Sequence, residues 1–142
     1  MENRTDNYSI LELGSFENLS KKEAVGRKGK LFLADVLGLT GCEVSLNRLS
    51  AGQGVPFVHA HKKNEELYII IKGTGTFFID GSEFSVQEGS VIRIAPGGER
   101  SWKADDQDLY FICIQAQEGS LTQCSAQDGI RVPTKVSWMN QS

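Results

Sequence analysis

The chain has 142 residues, 39% of them hydrophobic, with seven phenylalanines and a net charge of −3. That is enough for one domain with a sizeable core, and too apolar for a disordered segment. The acidic balance speaks against a nucleic-acid binder, which needs a basic surface to displace counterions.

The N-terminus, MENRTDNYSI, has no apolar stretch of signal-peptide or membrane-span length. The expectation is a cytoplasmic protein with no membrane association. Further on, Ser20 and Glu23 have the spacing of a capping box, and Gly26 stands where a helix would stop. This predicts a helix of about two turns. The basic run GRKGK at 26–30 is the only one in the chain and reads as a solvated loop.

After Lys30 the pattern becomes short runs broken by turn residues. KLFLADVL reads as a strand, although its pattern also allows a helix. CEVSLNRL alternates as a half-buried strand does. PFVHAH and ELYIIIKG follow. TFFIDGSEFSV carries Asp80-Gly81 between two β-prone runs, a strong hairpin signal. Glu88-Gly89 marks a turn, SVIRIAPGG a strand ended by Pro96, and DLYFICIQA the last clear strand. About eight short strands at roughly ten-residue spacing suggest a sandwich or barrel. The chain divides into an N-terminal arm with a short helix (1–30), a β-barrel (31–117) and a polar tail (118–142). Val136 and Trp138 are the only strong anchors of the tail. It docks on the barrel or a partner, or it frays.

Cys42, Cys113 and Cys124 are odd in number and form no CxxC. They do not make a disulfide framework. Cys42 and Cys113 lie in apolar runs, as buried, inert thiols do.

The only two histidines, His59 and His61, are two residues apart. On a strand they project from one face, stacked along it, which is a way to offer two imidazoles to one metal. HxH alone does not define a site. A carboxylate from the next antiparallel strand would complete a two-histidine, one-carboxylate set, the facial arrangement of many non-haem iron sites. Glu65 and Glu66 are both within reach. Glu66 shares a face with Tyr68, Ile70 and Lys72, and Glu65 with Leu67, Ile69 and Ile71. Apolarity favours turning the second face inward.

Gly54 to Gly73 resembles the first motif of the cupin superfamily: a glycine, HxH, three or four residues, a glutamate, six residues and a glycine. Counting back from Gly73, that spacing selects Glu66 and leaves Glu65 as a solvated or rim carboxylate. Gly89 to Ser101 resembles the second motif, with one extra residue before Pro96. Ser101 stands where the motif has its histidine, and Asp105 where it has asparagine. The resemblance covers residues 42–116 and implies an all-β double-stranded β-helix, or jelly roll. It also implies one divalent metal ion (Fe, Mn, Zn or Ni) on His59, His61 and Glu66, with the fourth ligand missing at Ser101.

A barrel of this size holds one small ligand. Phe57, Tyr68, Ser101, Trp102 and Tyr110 are candidates to line its pocket or to serve as ordinary core. Arg100, beside the missing-ligand position, is either a carboxylate-binding group or a surface arginine at a loop end. Arg93 alternates with Ile92 and Ile94 and is expected to face solvent or an interface. The resemblance implies a homodimer and a small-molecule ligand. The expected function is that of a metal-dependent enzyme on a small polar molecule (dioxygenase, isomerase or decarboxylase type), or else of a non-catalytic binding or sensing module.

Overall fold

The computed structural model describes residues 7–123 and 125–139, and the backbone of residues 2–4. At the N-terminus β1 (Glu2–Arg4) pairs with β2 (Ser9–Leu11), followed by a 3-10 helix at Phe16–Lys21. Next come β3 (Glu23–Ala24), β4 (Arg27–Lys28), β5 (Lys30–Phe32), α1 (Leu33–Leu37) and β6 (Glu43–Leu49). β7 (Asn64–Lys72), β8 (Thr74–Ile79), β9 (Ser82–Gln87), β10 (Val91–Ile94), β11 (Arg100–Ala104) and β12 (Leu109–Gln117) complete the barrel. α2 (Ser125–Asp128) lies in the tail.

Two antiparallel sheets form the jelly roll. One has the order β10-β7-β12-β6-β5 and the other β11-β8-β9. The core between them is Tyr68 and Ile70 of β7, Phe77 of β8, Val86 of β9, Ile94 of β10, Trp102 and Ala104 of β11, and Leu109, Phe111 and Cys113 of β12. Its centre is aromatic: Phe77 stacks on Trp102 at 5.5 Å, and Tyr68 meets Phe77 edge-on at 5.2 Å. Such pairs add to the large area each ring buries.

Gly73 explains why the β7–β8 hairpin has a fixed register. Its φ is +94°, and a Cβ there would lie 2.1 Å from the carbonyl oxygen of Asp108. Only glycine lets the hairpin tuck beneath the start of β12. The Asp80-Gly81 turn has positive φ at both residues, 48° and 89°, as the hairpin motif requires.

The N-terminal arm differs from its sequence reading. The helical turn begins earlier, capped by Ser15, whose hydroxyl accepts from the Glu17 amide. Ser20 lies inside that turn. Glu23 enters a small hairpin, β3 and β4, whose turn is Val25-Gly26. The arm lacks the apolar periodicity that would pack a longer helix, and a hairpin satisfies its backbone instead. Val25 has φ +48° and is 73% exposed, an unfavourable conformation for a β-branched residue. Val25→Asn should raise stability by about 1 kcal/mol, since Asn visits this region readily. Thermal unfolding checks it: an unchanged or lower midpoint refutes the strain.

Three other runs depart from expectation. KLFLADVL splits into β5 and α1, and Gly38 ends the helix in the left-handed region. PFVHAH is not a regular strand: His59 makes an isolated bridge to Arg100. Arg100–Ala104 is a strand the sequence did not advertise, because Arg100, Trp102 and Ala104 all turn inward and the arginine breaks the apolar alternation. In the tail, Leu121, Ile130 and Trp138 are all above 80% exposed, so Trp138 does not anchor it. Cys113 is buried and Cys42 half-buried; Cys124 lies outside the described residues. No helix among the described residues is long and apolar enough to cross a membrane.

Candidate functional site

β7 decides between the two glutamates. Glu66, Tyr68 and Ile70 are buried on its inner face, while Glu65 looks outward to Arg93, 3.5 Å away. Arg93 itself is largely exposed on the outer face, as its alternation predicts. The inner carboxylate is closely held. Tyr68 Oη donates to Glu66 Oε1 at 2.6 Å, and Cys113 Sγ donates to Oε2 at 3.4 Å. His61 Nε2 lies 3.1 Å from Oε2, and Arg100 Nε lies 3.8 Å from Oε1.

The bridge to β11 brings His59 in beside this carboxylate. Its amide donates to the Arg100 carbonyl at 3.0 Å, and the Arg100 amide returns a bond of 2.9 Å. The His59 and His61 rings are 5.3 Å apart at 85°. One ligand atom from each of His59, His61 and Glu66 lies within 4.8 Å of the others. Donors about 2.1 Å from a common ion are about 3 Å apart when adjacent. His61 and Glu66 already have that spacing. His59 Nδ1 is buried without a hydrogen-bond partner, and so is open to a ligand bond. Burial lowers the His59 pKa, which keeps its imidazole neutral, the form that binds metal. Two nitrogens and one oxygen suit a borderline divalent ion.

The three residues open onto a cavity of ≈ 240 Å³. Phe57, Tyr68 and Trp102 are in its wall. Burial raises the Tyr68 phenol far above its ordinary range, with Cys113 and Glu66 adding to the effect. It pushes the Cys113 thiol up to about 12. Both groups therefore stay protonated and act as donors to Glu66.

Ser101 and Tyr110 are not in that wall. Ser101 alternates with the inward Arg100 and Trp102, and its hydroxyl donates to the Val55 carbonyl. Tyr110 is buried on the outer face, where it donates to Glu17 at 2.6 Å. Arg100 is no surface arginine: it is fully buried, and its three guanidinium nitrogens have no hydrogen-bond partner. The inward position beside Glu66 thus carries a cation. The basic run at 26–30 is also not a solvated loop. Arg27 and Lys30 both line the cavity, and the Arg27 guanidinium sits 5.7 Å above the Trp102 ring. The sequence offers no local signal for this, because Arg27 and Lys30 reach the cavity only through the folding of β4 and β5.

Residues 46–115 match the model of the cupin domain. Among solved structures, a cupin protein from Bacteroides fragilis is 46% identical, over 78% of this chain and 95% of its own, with a TM-score of 0.71. A predicted oxalate decarboxylase from Thermotoga maritima is 25% identical over 52% of this chain and 64% of its own, with a TM-score of 0.50. The cupin domain of Schizosaccharomyces pombe Cnp3 is 18% identical over 55% of this chain and 57% of its own, with a TM-score of 0.52, a likeness of fold. Among curated proteins nothing matches. The jelly roll, the HxH segment with its inner glutamate and the near-complete overlap with the Bacteroides protein agree: the chain belongs to the cupin superfamily.

Proposed function

We propose that this cupin is a metal-dependent enzyme acting on a small polar molecule, with one divalent ion on His59, His61 and Glu66. The observation that carries this is the convergence of one ligand atom from each of the three residues within 4.8 Å of the others, with His59 Nδ1 buried and without a hydrogen-bond partner. A bound ion would supply Lewis-acid or oxygen-activating chemistry. The chain's own residues do the rest. Tyr68 and Cys113 fix the Glu66 carboxylate, and the bridge to Arg100 fixes the His59 backbone. Phe57 and Trp102 enclose the ligand space. The likeness to a predicted oxalate decarboxylase supports the decarboxylase type within this class. Elemental analysis of untagged protein tests the reading, beside a variant with His59→Ala and His61→Ala. We expect one ion per chain in the parent and none in the variant. Equal, substoichiometric metal in both sinks it.

A second reading has its own observation. Arg100 places a buried positive charge 3.8 Å from Glu66, so the carboxylate has a counter-ion without metal. The cavity would then serve a non-catalytic binding module.

We also infer a homodimer. A row of apolar side chains crosses the outer face of the larger sheet in register, from Val91 through Ile69, Ile112 and Leu46 to Leu31. The 3-10 helix and α1 pack against β6, while Val91 at the far end is 63% exposed. A second copy would cover that end and the β10 edge. Ile69→Glu should turn a dimer into a monomer in light scattering. A monomeric parent overturns the inference.

A further inference from the structure

The N-terminal arm brings two cations to the cavity, and neither makes an ion pair among the described residues, although the charges of Glu66 and Glu43 act on Lys30 from a distance. The β3–β4 hairpin is pinned by Gly29, where a Cβ would lie 2.1 Å from the Arg48 carbonyl oxygen. This close approach sets Arg27 on one side of the glycine and Lys30 on the other, both in the cavity wall. Arg27 has no ion pair among the described residues; its guanidinium lies over Trp102. Lys30 Nζ donates to two neutral acceptors, Asn47 Oδ1 at 2.8 Å and Ser45 Oγ at 3.4 Å. Burial lowers the pKa of both, and for Lys30 the charge of Arg27 is the next cause. Two like charges in one partly desolvated wall repel, and an anion between them relieves it.

Glu66 does not supply that anion. It is the only acidic residue of the wall and is already engaged by His61, Tyr68, Cys113 and, behind it, Arg100. Much of the remaining surface is aromatic, from Phe32, Phe57, Trp102 and Phe111, with Ser45 and Gln115 as neutral polar members. Trp102 is only 5% exposed, and its Nε1–H has no hydrogen-bond partner. The volume of ≈ 240 Å³ equals that of about eight water molecules at roughly 30 Å³ each, a small ligand.

We propose that the cavity takes a small carboxylic acid with a flat apolar body, its carboxylate held by Arg27 and Lys30 and its body against Trp102, Phe57 and Phe111. This deepens the reading of the cavity as the ligand site and moves carboxylate recognition from Arg100 to the N-terminal arm. Arg27 is suited to a planar, two-point grip and Lys30 to a point contact.

The test uses intrinsic fluorescence. The chain has two tryptophans, so Trp138→Phe leaves Trp102 as the sole reporter. Benzoate, its uncharged analogue benzamide and inorganic phosphate are titrated into this protein as purified. Saturable quenching by benzoate is expected, with benzamide and phosphate at least tenfold weaker. Arg27→Gln and Lys30→Met should each weaken benzoate at least tenfold, with Arg27→Lys recovering part of the loss. Absence of saturable benzoate binding overturns the proposal. So does benzamide or phosphate binding as tightly as benzoate, or both charge variants binding like the parent. The variant with His59→Ala and His61→Ala separates this proposal from the metal reading. Benzoate binding that survives there, with no metal in the parent, refutes the metal alone. Binding lost there but intact in Arg27→Gln and Lys30→Met refutes the assignment to the arm and leaves the metal standing.

Discussion

Glu66→Gln is expected to weaken metal binding by at least about 100-fold and also to destabilise the protein by about 3 kcal/mol. The two effects have different origins. The first removes the only anionic ligand of the set. The second arises because Arg100 is fully buried, with no hydrogen-bond partner on its guanidinium, and Glu66 is the carboxylate beside it at 3.8 Å. Gln keeps the shape and still accepts from Tyr68, but it leaves the guanidinium without a counter-charge. Breaking one side of a buried pair costs far more than the pair itself is worth. Glu65→Gln is the control: its side chain is 41% exposed and its partner Arg93 63% exposed. Its stability should change by no more than about 0.5 kcal/mol. Urea unfolding reads the stability and elemental analysis the metal. An unchanged urea midpoint for Glu66→Gln would show that Arg100 does not depend on this carboxylate, and retained metal would remove Glu66 from the ligand set.

Gly73→Ala should cost about 4 kcal/mol or more, enough to leave much of the protein unfolded at ordinary stabilities. Two penalties combine. The new Cβ would lie 2.1 Å from the Asp108 carbonyl oxygen and 3.2 Å from Leu109 Cα, both backbone atoms that cannot swing aside. The φ of +94° is also outside what alanine adopts without strain. Gly81→Ala separates the two, because Gly81 has φ +89° but nothing within 4 Å of its Cβ position. It should lose only the backbone part, about 1–2 kcal/mol. Chemical denaturation of the two variants side by side checks the difference. Equal losses would mean that the contact with β12 contributes nothing.

Gly73 also links fold to site. It fixes how β7 turns into β8, and β7 carries Glu66. This is the physical content of the motif spacing, which selected Glu66 against the apolarity of its neighbours. The apolarity argument failed for a definite reason. Leu67, Ile69 and Ile71 of β7 face outward, as do Ile112 and Ile114 of β12 and Val44 and Leu46 of β6. The inner faces of the same strands carry Glu66, Ser45 and Asn47 among the core residues. A sheet that is apolar outside and partly polar inside reverses the usual pattern, because one end of its interior is a lined cavity and not packed core.

The sequence by itself determined where most strands lie, the Asp80-Gly81 hairpin, the superfamily, and the three residues with ligand chemistry in compatible spacing. Those features are local: turn residues need particular backbone angles, and alternation fixes which side chains share a face. Alternation does not fix which face turns inward when both are apolar, and it says nothing about residues that meet across distant strands. Only the tertiary structure decided that Arg100 is buried against Glu66, that Ser101 and Tyr110 turn away, and that Arg27 and Lys30 reach the cavity. Each depends on one segment folding over another: β11 pairing with β8, and the Gly29 hairpin lying against the Arg48 backbone. Such long-range contacts leave no periodic mark in the sequence, so a run of basic residues that reads as a solvated loop becomes part of a cavity wall.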